Sequence, residues 1–173
     1  MRKPGFLLLF ILLLIAQVLL GVYCNFTRWF TLTLLPVMIL CIPIKRNTIF
    51  CLFAAFITGF LVDFLQDGML GLTILSLVPV ALLRRGIIQL VFGSEVFSRG
   101  EDISFRRQGT GKMTLAIVMV TGIFLAIYIF VDCAGTMPRW FCFCRWLISL
   151  AGDTIIGLFC ADLLTKDELG RWR

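Results

Sequence analysis

Residues 6–20 read FLLLFILLLIAQVLL, a run with no charge and with Gln17 as its single polar side chain. At about 1.5 Å per residue, such a run covers most of a hydrocarbon core about 30 Å thick. Comparable apolar runs recur along the chain. They predict six membrane helices over 5–23, 30–44, 48–65, 69–83, 113–131 and 141–164. A cytoplasmic loop is expected over 84–112. Of the 173 residues, 60% are hydrophobic and 15% charged, and mean hydropathy is +1.02. Soluble domains hold about 45–50% apolar and about 25% charged residues. The expected fold is therefore an all-α, polytopic helical membrane protein with one membrane domain, leaving no room for a soluble catalytic domain.

The first run has a rival reading as a cleaved signal peptide. Its apolar core is long for one, and no small-x-small cleavage site follows, so an uncleaved helix is expected. The second run holds Pro36 and Pro43. Proline removes a helix donor, so this helix is expected to kink or tilt.

Basic residues set the orientation. With a cytoplasmic N-terminus, the inner segments hold thirteen Lys and Arg residues: 2, 3, 45, 46, 84, 85, 99, 106, 107, 112, 166, 171 and 173. The outer segments hold three, Arg28, Arg139 and Arg145. Both termini are thus expected in the cytoplasm. The net charge of +6 follows from this topology and does not imply nucleic-acid binding.

The chain has no His and seven Cys. His-based triads and His metal sites are excluded. Cys142-x-Cys144 is poor zinc spacing without a second half. No metal or cofactor is expected.

Ionisable groups in hydrocarbon are costly and mark function by default. Asp153 lies about eleven residues, roughly 16 Å, from either end of the last run. It must be protonated, paired, or facing water. Ser149, Gln17, Thr58 and Thr121 are its candidate partners, and Gln17 is a buried amide in need of a partner itself. Asp63 and Asp67 stand at i and i+4, where like charges repel if the helix continues. If it stops, Asp67-Gly68 becomes an N-cap for the fourth helix. Asp63 is then a cap to a neighbouring helix or a ligand contact. Ala55-x3-Gly59 and Gly157-x3-Ala161 are small-residue stripes beside the two carboxylates. They suit either packing within the bundle or docking of a partner's membrane helix.

The segment from Gly59 through Asp63, Asp67, Gly68, Gly71 and Thr73 resembles the rod shape-determining MreD family. That family carries a Gly-x-x-x-Asp stretch, a short turn, then Gly-Leu and an apolar helix. The resemblance covers roughly residues 55–92. The 84–112 loop looks longer than usual for the family, and the cysteine content is high. The resemblance implies a non-enzymatic scaffold of the cell-elongation machinery in a bacterial inner membrane. It implies MreC as direct partner, with RodA, its penicillin-binding transpeptidase and MreB in the wider complex that places lateral peptidoglycan synthesis. It also implies a fold similar to the substrate-binding subunits of energy-coupling-factor transporters. The alternative function is such a vitamin-type transport subunit. A membrane enzyme is the weakest class, since of the clustered carboxylates, His or Ser–His pairs such enzymes usually carry, only Asp63 and Asp67 come close. Gly59, Asp63, Asp67, Gly68, Gly71, Gln17, Asp153 and Gly157 are the partner- or cavity-facing candidates.

Overall fold

The computed structural model describes residues 4–24, 30–43, 47–66, 69–93, 109–134 and 137–166. These residues fold as helices and connections, with no strand among them. The helices are α1 (Pro4–Cys24), α2 (Leu35–Leu40), α3 (Thr48–Leu65), α4 (Leu72–Phe92), α5 (Thr110–Asp132) and α6 (Arg139–Lys166). Four of them, α3 to α6, are long and apolar enough to cross a membrane; in α1, a shorter apolar stretch is seen over Leu8–Gly21. The chain is a helical membrane protein.

Helices α3, α4, α5 and α6 pack in sequence, and α1 closes the ring by touching both α6 and α3. The short α2 sits inside and touches all five. Every residue from Leu34 to Leu40 is buried. The outer faces of the ring are apolar. On α3, Phe53, Phe56, Phe60 and Phe64 point away from the bundle, and the rings of Phe60 and Phe64 stack at 6.3 Å. In water these faces would be an aggregation surface, whereas in lipid they are the expected boundary.

The second apolar run departs from the expected helix. Residues 30–34 are not helical, α2 has six residues, and a turn follows at 41–42. The two prolines explain this. Pro36 lies in the first turn of α2, where its missing N–H costs nothing, but its ring would clash with the carbonyl of Leu32 if the helix extended backwards. Pro43 forbids continuation forwards and disfavours helical backbone at Ile42. Six helical residues reach only about 9 Å. That is well short of a hydrocarbon core about 30 Å thick.

The fourth run also differs. Helix α4 starts at Leu72, runs through Pro79, Arg84 and Arg85, and ends at Phe92, with Gly93 as its C-cap at φ 86°. Arg84 does not close the helix at a water boundary, because its charge is satisfied inside the protein. Of the expected 84–112 loop, residues 84–92 are helical, and 94–108 lie outside the described residues.

Candidate functional site

A non-helical backbone inside a bundle has amides and carbonyls that no helix satisfies, and the cost in a membrane is several kcal/mol each. Residues 31–34 resolve this with three side chains. Successive residues of an extended chain point opposite ways. Accordingly, the N–H groups of Thr31 and Thr33 face α6, where Ser149 Oγ accepts from Thr31 at 3.0 Å and Asp153 Oδ1 accepts from Thr33 at 3.1 Å. The hydroxyls of Thr31 and Ser149 also bond at 3.1 Å. The fit is metrical. The four residues from Ser149 to Asp153 rise about 6.0 Å along α6, close to the roughly 6.6 Å that two residues of extended chain span.

Gln17 of α1 takes the opposite edge. Its Nε2 donates to Leu32 O at 3.3 Å, and its Oε1 accepts from Leu34 N–H at 2.7 Å. The amide thereby copies the pairing of a neighbouring strand. Ser149 and Asp153 are fully buried, and Gln17 is 3% exposed. The pairings differ from those suggested by sequence. Gln17 and Ser149 do not partner Asp153; all three partner the same backbone. Thr58 turns back onto its own helix, donating to Ala54 O and Ala55 O.

The second carboxylate works on a helix end. Asp63 Oδ2 accepts from Gly71 N–H at 2.9 Å and Ile74 N–H at 3.4 Å, and Oδ1 accepts from Thr73 N–H at 3.2 Å. It closes the first turn of α4 from outside that helix, and its charge suits the positive end of the helix dipole. Gly71 is the N-cap, at φ 98°, a left-handed conformation that favours glycine. Gly59, one turn before Asp63, lets α3 approach α4: a Cβ there would stand 3.1 Å from Ile74 Cα. Gly59, Asp63 and Gly71 thus form one junction. Asp67 and Gly68 lie outside the described residues; the cap duty expected of Asp67 is performed by Asp63.

The small-residue stripes are filled by the chain itself. A Cβ on Gly157 would meet Val37 Cγ2 at 2.9 Å and Ile117 Cγ2 at 3.2 Å, and Ala55 and Ala161 are fully buried. Neither stripe is open to a partner helix.

Arg84 is a buried, carbonyl-binding side chain that the sequence reading placed at a helix boundary. It is 6% exposed. Its Nε and Nη2 donate to Leu40 O at 3.2 and 3.1 Å, Nη2 also reaches Ile42 O, and Nη1 reaches Cys51 Sγ at 3.5 Å. The last carbonyls of α2 and the turn after it are thereby satisfied, as a cation at a helix C-terminus should satisfy them. At the far end of the bundle, Arg145 pairs with Asp132 at 2.7 Å and stands 3.7 Å from Cys133 Sγ. Burial pushes the Cys133 thiol up, the neighbouring Cys142 adds to this, and Arg145 opposes it.

A cavity of about 60 Å³ lies against the broken segment. Its polar lining is Gln17, Thr31, Thr33, Gln66, Thr73 and Tyr128. It has room for a few water molecules. Among the described residues, no three His, Cys, Asp or Glu side chains are grouped to hold a metal. Compared with known proteins, the chain matches no family model, no curated protein and no solved structure.

Proposed function

We propose that the chain is a non-enzymatic scaffold of the cell-elongation machinery, akin to the MreD family, in a bacterial inner membrane. The observation that carries this reading is the Gly59–Asp63–Gly71 junction. Four of the residues on which the resemblance rests, Gly59, Asp63, Gly71 and Thr73, meet at one α3–α4 contact, where the carboxylate is spent on backbone amides. Asp153, Gln17 and Arg84 are likewise engaged with the backbone of residues 31–42. The topology proposed is six crossings with both termini in the cytoplasm, the broken segment and α2 together serving as the second crossing.

MreC is the proposed partner, with RodA, its penicillin-binding transpeptidase and MreB in the same assembly. Because both small-residue stripes are occupied internally, the MreC membrane helix would dock on a lipid-facing surface such as the Phe53–Phe64 face of α3. Interhelical hydrogen bonds in membranes contribute only about 0.6 kcal/mol each, so contact area would dominate. The experiment is affinity purification from the native host together with depletion of the protein. Co-purified MreC and loss of rod shape are expected. Cells that stay rod-shaped on depletion, with no MreC recovered, would overturn the reading.

The alternative, a small-molecule transport subunit, draws on the polar cavity beside Thr31 and Thr33. At about 60 Å³ that cavity is far below the roughly 300 Å³ of an ordinary ligand pocket. A bound metabolite retained in native mass spectrometry would favour it over the scaffold.

A further inference from the structure

Among the described residues, four buried side-chain atoms lack a hydrogen-bond partner: Thr33 Oγ1, Thr121 Oγ1, Asp153 Oδ2 and Arg145 Nε. Three of these are oxygens, and the fold brings their residues to one level. Thr33 is tied to Asp153 through its N–H. The antiparallel α5–α6 register is fixed by Gly157 against Ile117 and by Trp146 Nε1 donating to Gly122 O at 3.1 Å. One turn along both helices from the Gly157–Ile117 contact, that register sets Thr121 opposite Asp153. Thr121 and Asp153 are fully buried, and Thr33 is 7% exposed.

Charge sharpens the point. Asp153 has no ion-pair partner among the described residues, and the closest basic residue on its own helix, Arg145, is committed to Asp132. The other groups brought up to this level, Thr31 and Thr33 from the broken segment, Thr121 from α5 and Ser149 from α6, are neutral. A buried carboxylate without a counter-charge costs several kcal/mol. None of the three orphaned oxygens bonds to another, so a bare proton on Asp153 leaves the hydroxyls unserved. We infer that Asp153, Thr33 and Thr121 form a binding site for a small, dehydrated monovalent cation. One negative charge matches one positive charge, and hard cations take oxygen ligands. Broken membrane helices hold such ions elsewhere by the same logic. Thr33 also lines the polar cavity, which gives the ion a hydrated approach.

The inference is independent of the scaffold reading. Its test is thermal unfolding of the purified protein in detergent at neutral pH, in sodium, potassium or N-methylglucamine chloride at equal ionic strength, with radioactive sodium binding alongside. Sodium is expected to raise the midpoint selectively and to bind at one site per chain. Thr121→Val is expected to weaken the half-saturating sodium concentration about tenfold, a loss of about 1.4 kcal/mol. Asp153→Asn is expected to abolish the sodium effect. If Asp153→Asn does not fold, the Thr121→Val comparison and the wild-type binding measurement decide. Equal midpoints in all three salts, a midpoint that follows pH and ignores sodium, or an unchanged sodium response in either variant would overturn the proposal.

Discussion

Among the described residues two carboxylates are buried, Asp63 and Asp153, and they are used differently. Asp63 has both oxygens committed, to three amides at the start of α4. Asp153 has one oxygen on Thr33 and the other without a partner among the described residues. Asp63 completes a helix that would exist anyway, whereas Asp153 holds a segment that is not a helix at all. Burial is nearly the same, at 5% and 0%. Depth alone therefore does not distinguish a structural acid from one with spare capacity; the tally of satisfied oxygens does.

Substitutions can break or sharpen this contrast, with stability read as thermal unfolding in detergent. The largest effect is expected from Gly59→Leu, at about 3 kcal/mol, because the atoms in the way are backbone of Ile74 and cannot step aside. Asp63→Asn is expected to cost about 2 kcal/mol, since an NH₂ group replaces an acceptor in front of helix amides. Ser149→Ala should cost about 1 kcal/mol by leaving the Thr31 N–H without its acceptor. Asp153→Asn, in sodium-free buffer, should lie between neutral and about 1 kcal/mol more stable: the remaining carbonyl still accepts from Thr33, and an uncompensated charge is gone. A cost for Asp153→Asn equal to that for Asp63→Asn would erase the distinction between the two sites.

Much of this was readable from residue order. The long apolar runs predicted α3 at the observed bounds, Thr48–Leu65, because an uninterrupted run between polar ends has few other solutions. A cap to a neighbouring helix was one of two readings open for Asp63, and its i+8 spacing to Gly71 is short enough for a local turn to realise it. The broken second segment was harder. Hydropathy is the same whether apolar residues 30–44 form a helix or pack against one, and only the seven-residue interval between Pro36 and Pro43 marks the difference. Arg84 was read as a boundary charge, since basic residues usually flank membrane helices. Its actual partners are carbonyls 42 and 44 positions away, which exist as acceptors only because α2 ends inside the protein. Pairings of that range leave no periodic trace.

The bonds from Ser149 and Asp153 to the broken segment span 118 and 120 positions of chain. During biosynthesis, residues 31–33 therefore leave the ribosome long before their acceptors have been translated. Until α6 is inserted, those amides need water or the insertion machinery as a temporary host. A ribosome stalled after α5 would hold a nascent chain whose second segment stays accessible to solvent until α6 is inserted and seals it.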